Sequence, residues 1–369
     1  MIAVHTDVVG SLLRPADLLA ARRRWEAGEI TAAEFKPIED AAVDAAVALQ
    51  QDAGIEVVTD GEMRRLSFQS GLPDAVDGFG EVPLEAYLWG DWHGDEAVGN
   101  QATDRPPRLG VRERLRPRRH IAAEEFTYLR ARATAIPKVT LTSPSLYANL
   151  WSPDVSRQAY PTLDEFLEHV VSIMCDEVRE LQRLGARYIQ LDAPHYPLLI
   201  DPATRAFYES QGWTLERWLD RGIDLDNAVI AAAPGVTFGF HLCRGNQGSR
   251  WLVEGGYDPI AERVFRRIAA DRLLLEYDDE RSGSFEPLRE VPDDKMVVLG
   301  LVTTKSARRE TVEQLESRIH EAARFVDIER LAISPQCGFA TSVIGNAISE
   351  QDERAKLATI AQAARRIWS

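Results

Sequence analysis

The sequence predicts an α/β fold: a (β/α)8 TIM barrel with a long insertion after its second strand. Three observations carry that expectation. Short apolar runs alternate with longer segments of helical spacing along most of the chain, the pattern of a parallel sheet wrapped by helices. About eight such runs occur, the number a closed barrel needs. Polar residues gather at the C-terminal ends of these runs: Ser11, Asp60 with Glu62, Asp192, His241 with Cys243, Glu276 and Cys337. A closed barrel brings all those ends to one mouth. A doubly wound sheet also alternates β and α, but it would leave the outermost ends too far apart to share a site.

Taken in order, strands are expected over His5–Ser11, Glu56–Glu62, Lys138–Pro144, Tyr188–Pro194, Thr237–Cys243, Arg272–Asp278, Met296–Val302 and Leu331–Cys337. Each is rich in Val, Ile, Leu, Thr or Phe, as strands buried on both faces are. Helical spacing is clearest over Ala32–Gln51 and Leu163–Leu184, and recurs over Thr311–Val326 and Glu350–Ile367. Gly54 and Gly185 lie just past two of these helices, where glycine is the favoured stop. Asp164 and Thr311 lie near helix starts, where a side-chain oxygen can cap backbone N–H groups.

From about Phe68 to Ile136 no clean βα unit appears. This stretch holds Trp89, Trp92, several glycines and an arginine-rich run from Arg105 to Arg119. A structureless loop of that length is uncommon in a compact domain. Residues 68–136 are therefore read as an insertion with some helical content, within one barrel domain of residues 1–369. It is either a solvated excursion or a lid over the mouth whose arginines attract an anionic substrate.

The 369 residues are 45% hydrophobic, ample for a large core, and carry a formal net charge of -15. That charge argues against nonspecific binding to nucleic acid or an anionic membrane. No stretch approaches the ~20 apolar residues of a membrane helix. The start, MIAVHTDVVGS, lacks the basic-then-apolar pattern of a signal peptide. Three cysteines cannot build a disulfide framework, so a reducing, cytoplasmic setting is expected.

Two of those cysteines fall at strand ends. His241 and Cys243, in FGFHLCRGN, are two apart and so share a face. Glu276 closes an apolar run, LLLEYDDE, where a buried carboxylate needs a partner or a metal. Cys337 lies in SPQCGFAT, with Gly338 permitting a sharp turn. Imidazole, two thiolates and a carboxylate make a four-coordinate zinc set, against the alternative of an inert core histidine and small buried thiols. Zinc would turn a substrate thiol into a nucleophile near neutral pH. His195, in QLDAPHYP, is either an acid or base near the mouth or a satisfied structural histidine. Cys175 sits within a helical run and is read as a buried structural thiol.

Together, HTDVVGSLLRP, VVTDGEMRR, YIQLDAPHY, GFHLCRGN, LLEYDDERSGSFEPLR, VVLGLVTTKS and SPQCGFAT, in this order, resemble the cobalamin-independent methionine synthase superfamily, in its short, single-barrel form. The likeness runs through nearly the whole chain. It implies a catalytic TIM barrel in which a zinc-bound thiol attacks an alkyl donor, homocysteine and a methyl-tetrahydrofolate polyglutamate being the pair used by the long members. It implies zinc ligands at His241, Cys243, Glu276 and Cys337. It places Val9, Gly10 and Ser11 in the turn whose backbone holds the amino-acid carboxylate, and Glu62 and Asp192 around the amino group. Two barrels make up the long members, and this chain has room for one. Their Gln-Ile-Asp-Glu-Pro becomes Gln190-Leu191-Asp192-Ala193-Pro194, which loses a carboxylate. Their Asp-Ile-His-Ser, with its proton-donating histidine, becomes Thr303-Thr304-Lys305-Ser306, which leaves Lys305 as a different acid or an anion binder.

The function expected is zinc-dependent alkyl transfer, most simply of methyl, to a small-molecule thiol such as homocysteine. One rival is epoxide opening by a thiol such as coenzyme M. Others are a noncatalytic zinc or corrinoid-partner protein, and a metal-free decarboxylase branch of the same barrel. The expected partners are the small-molecule thiol and its alkyl donor. A homo-oligomer or a corrinoid protein partner stays open.

Overall fold

The computed structural model describes residues 2–82, 92–94, 109–210 and 212–368. Its strands are β1 (Val57–Val58), β2 (Val76–Glu81), β3 (Leu109–Pro117), β4 (Ile136–Pro137), β5 (Val139–Thr142), β6 (Tyr188–Asp192), β7 (Thr237–Leu242), β8 (Arg272–Glu276), β9 (Met296–Val302) and β10 (Leu331–Pro335). Strands β5 to β10 form a parallel sheet in which every neighbour in space is a neighbour in sequence. Every residue of those six strands is buried, which is why they read as continuous apolar runs.

The remaining staves complete a TIM barrel. β4 continues through Lys138 into β5, and it pairs in parallel with β1. On the other edge, Thr6 bridges Ile333 of β10, with the Asp7 N–H donating to the Ile333 carbonyl at 3.0 Å. The seam between the N-terminal segment and β1 relies on side chains. The Glu56 carboxylate accepts the N–H groups of His5 (3.0 Å) and Thr6 (2.9 Å), and the Glu56 N–H donates to Thr6 Oγ1 at 2.8 Å. The first two expected strands are thus shorter than their apolar runs. The chain leaves strand geometry after Val58 and turns over residues 61–64, where Gly61 and Glu62 have left-handed backbone.

Helices cover the outside as their patterns require. Thr31 and Thr311 each cap a helix through reciprocal bonds with the residue three positions on, and Gly54, at φ 86°, ends Ala32–Ala53. The helix Leu163–Arg183 is capped by Thr162, one residue before it, and Asp164 lies in its first turn.

The insertion contains more regular structure than expected. β2 and β3 pair as an antiparallel hairpin, and the helix Ala123–Arg130 follows. His93 makes a two-residue bridge with Trp251. Trp89 and Arg105 lie outside the described residues, but Arg112, Arg114 and Arg116 are exposed along β3.

Candidate metal centre and substrate cavity

Strands β7, β8 and β10 end on the same side of the barrel, and their ends assemble the site. His241 is the fifth residue of β7, Cys243 follows that strand, and Cys337 lies two residues beyond β10. A ligand atom from each lies within 4.8 Å of the others, and all three residues are buried. Both ring nitrogens of His241 are buried without a hydrogen-bond partner. A buried imidazole ordinarily satisfies at least one nitrogen. An orphaned imidazole beside two thiols fits a zinc ion, whose preferred donors are nitrogen and sulfur. The neighbouring Cys337 thiol and His241 hold Cys243 well below the usual thiol range despite its burial. Cys337 is correspondingly pushed up by Cys243 and by burial.

Glu276 ends β8 and is fully buried; the group of ligand atoms within 4.8 Å of one another does not include its carboxylate, which reaches His241 and Cys243 through its charge. Its Oε1 accepts from Arg281 Nη2 (2.7 Å) and Lys305 Nζ (3.0 Å), and its Oε2 accepts the Arg244 N–H at 2.5 Å. Burial alone would raise its carboxyl, but Lys305, Arg281 and Arg244 hold it well below the usual carboxylate range. Lys305 also faces Asp278 at 3.4 Å.

The imidazole and the two thiols border a cavity of about 330 Å³, whereas Glu276 lies behind its lining. His241, Cys243 and Cys337 line it, as do Val9, Ser11, Glu62 and Asp192. Gly10 packs beneath: a Cβ there would lie 2.8 Å from Glu62 Oε1, so only glycine lets the turn approach that carboxylate. Gly338 is similarly constrained, since its Cβ would meet Ser11 Oγ at 2.0 Å. Arg14 sews the loops together by donating to the carbonyls of Glu62 (3.1 Å) and Ala340 (2.8 Å). Burial pushes the Asp192 carboxyl up to about 7. Phe68, Trp92, Leu109, Leu150, Leu198 and Leu252 supply apolar wall. Phe68, Trp92 and Leu109 come from the insertion.

Neither Lys305 nor His195 lines the cavity. His195 Nε2 pairs with Ser145 Oγ at 2.8 Å, its ring packs on Tyr196 and Trp218, and burial lowers its pKa to about 3. Cys175 is half-buried on the helix Leu163–Arg183, away from the cavity lining. Sequence reasoning passed over Arg14, Gln190 and Thr140. The signal available for Gln190 was its place two residues before Asp192, on the same strand face.

A parallel barrel with an imidazole, two thiols and two cavity-facing carboxylates at its mouth defines a class: barrels equipped to hold a metal beside a small polar ligand. The chain belongs to the cobalamin-independent synthase family, whose catalytic-domain model matches residues 4–365. It is 34% identical over 371 residues to the uncharacterized protein YxjH of Bacillus subtilis, covering 99% of this chain and 94% of that one. It is 27% identical to the methionine synthase of Pyrococcus abyssi, covering 90% and 85%. Among solved structures, the putative vitamin-B12 independent methionine synthase of Listeria monocytogenes superposes with a TM-score of 0.73 at 25% identity, covering 100% of this chain and 99% of that one. The expected superfamily and barrel are therefore those found. Among the described residues, no helix is long and apolar enough to cross a membrane.

Proposed function

We propose that the protein transfers an alkyl group, most simply methyl, to the sulfur of a small amino-acid thiol such as homocysteine. The observation that carries this reading is the approach of His241, Cys243 and Cys337 within 4.8 Å on the wall of the cavity that Glu62 and Asp192 also line. His241, Cys243 and Cys337 would hold zinc, with Glu276 as the fourth protein ligand. When bound, zinc supplies a lowered thiol pKa, so that the acceptor sulfur reacts as a thiolate.

The chain's own residues do the rest. Glu62 and Asp192 receive the acceptor's ammonium through charge-assisted bonds. The backbone of Val9, Gly10 and Ser11 meets its carboxylate. Lys305 and Arg281 balance the charge of Glu276, and in this reading Lys305 acts on that carboxylate and not as a proton donor to the alkyl donor. His195 supports the wall from behind. The apolar residues take the alkyl donor, and the insertion, through Trp92 and Leu109, acts as a lid that excludes water. Holding donor and acceptor in line supplies much of the rate.

Metal analysis and turnover test this together. The purified protein is expected to carry one zinc per chain and to convert homocysteine with a methyl donor. Cys243→Ser should lose zinc affinity and turnover by at least ~100-fold. Full activity in a zinc-free protein, or in Cys243→Ser, would sink the proposal. Turnover confined to coenzyme M with a short epoxide would replace the amino-acid acceptor with a sulfonate thiol.

A further inference from the structure

Each cavity-facing carboxylate is held through one oxygen, from inside the barrel, by the same three-part device. Behind Asp192, Gln190 Nε2 donates to Oδ1 at 2.7 Å, and Lys138 Nζ donates to Gln190 Oε1 at 2.6 Å. Behind Glu62, Thr140 Oγ1 donates to Oε1 at 2.7 Å, and Arg65 Nη1 donates to Thr140 Oγ1 at 3.0 Å. Thr140 and Gln190 are register partners on β5 and β6, so the two devices lie side by side just below the mouth. All four supporting residues are at most 4% exposed.

In each device the middle group is ambivalent and the cation fixes its polarity. An amide can present either end, and a hydroxyl can donate or accept. Lys138 and Arg65 can only donate. Lys138 has three acceptors for its three protons: Asp7 Oδ1 at 2.7 Å, the Val8 carbonyl and Gln190 Oε1. Gln190 must therefore turn its NH2 the other way, where the Val9 carbonyl and Asp192 both accept at 2.7 Å. Thr140, accepting from Arg65, turns its proton to Glu62. Each carboxylate then keeps its second oxygen for a ligand, and Glu62 Oε2 is buried with no hydrogen-bond partner. Gln190 also ties the Val9–Ser11 turn to the Asp192 side of the cavity.

We infer that Gln190 and Thr140, polarised by Lys138 and Arg65, are positioning residues that set Asp192 and Glu62 for the ammonium group of an amino-acid acceptor. This rests on the acceptor class proposed above. The test uses cobalt-substituted full-length protein, whose absorption reports a thiol reaching the metal, and calorimetry with methionine. Homocysteine and 4-mercaptobutyrate, which keeps the carboxylate and lacks only the ammonium, are titrated separately. Thr140→Val and Gln190→Met should each weaken methionine and homocysteine about tenfold, the worth of a hydrogen bond to a charged group. Affinity for 4-mercaptobutyrate should stay unchanged, and Thr140→Ser, which restores the hydroxyl, should regain amino-acid binding. Equal losses for both thiols, or Thr140→Ser as weak as Thr140→Val, would overturn the inference in favour of a merely structural role. If Gln190→Met unfolds early, the Thr140 pair still decides. Wild-type protein that binds neither methionine nor homocysteine removes the acceptor reading and this inference together. Wild-type binding matched by the variants removes this inference alone.

Discussion

Glu353 is 1% exposed on the helix Glu350–Ile367, and its Oε1 accepts the Leu13 N–H at 3.0 Å. Burial pushes its carboxyl up to about 8, whereas in the unfolded chain it titrates near the ordinary glutamate value. Between those values the folded state binds the extra proton, so stability falls as pH rises through the window and levels off above about 8. Glu353→Gln keeps an acceptor for Leu13 and removes the titration. Melting temperatures across pH 5 to 9 should fall less steeply for the variant than for the wild type, and parallel curves would contradict the argument. At this scale legibility divided sharply. His241, Cys243 and Cys337 were readable because residue type and strand-end position suffice to nominate a ligand. Gln190 and Thr140 look like ordinary strand residues. The cations that give them meaning lie 52 and 75 positions away, a distance that the parallel pairing of neighbouring strands collapses. His195 could be read either way for the converse reason: its neighbours in sequence are at the mouth, while its side chain turns into a buried cluster with Ser145, Tyr196 and Trp218, as the structural alternative expected.

Among elements, the six central strands were legible almost to the residue, with β9 at Met296–Val302 as expected, because burial on both faces leaves an uninterrupted apolar run. The hairpin was not. β3 reads as a charge run because six of its nine residues, Arg112, Glu113, Arg114, Arg116 and Pro117 among them, are partly or fully solvent-facing, and its partner strand β2 lies well upstream. Gly78 marks the irregularity in the pairing. It has φ 117°, and a Cβ there would meet the Glu113 carbonyl at 2.9 Å and the Arg114 carbonyl at 3.1 Å. Gly78→Ala should therefore loosen the hairpin at a cost of about 1–3 kcal/mol. Limited proteolysis should cut faster within residues 109–117, while any metal binding at His241, Cys243 and Cys337 stays unchanged because none of the three lies on this element. Resistance equal to that of the wild type would show that the bulge tolerates a side chain.

At the scale of the whole molecule, the barrel owes much of its last closure to side chains, beside one backbone bond from Leu12 to Gly61, and the Val9–Ser11 turn sits on the element so held. β5 to β10 are joined by backbone ladders, but the N-terminal segment reaches β1 through Glu56 and Thr6, and through the Thr59 hydroxyl donating to the Gly10 carbonyl at 2.6 Å. Asp7, on the same segment, is buried against Lys138 at 2.7 Å and Arg272 at 3.4 Å, which anchors it to the barrel floor. Val9, Gly10 and Ser11 follow directly, so the precision of their turn depends on how firmly the seam is shut. Glu56→Ala would strip the His5 and Thr6 N–H groups of their acceptor while leaving the Asp7 anchor in place. The expected loss is about 1–3 kcal/mol of stability, with faster amide exchange over residues 5–12 and slow exchange retained in β6 to β9. If the turn meets the acceptor's carboxylate as proposed, amino-acid affinity should fall with it, whereas metal binding at His241, Cys243 and Cys337 should stay as before. Uniformly faster exchange across the barrel would instead mean that the seam is part of one cooperative unit with β6 to β9.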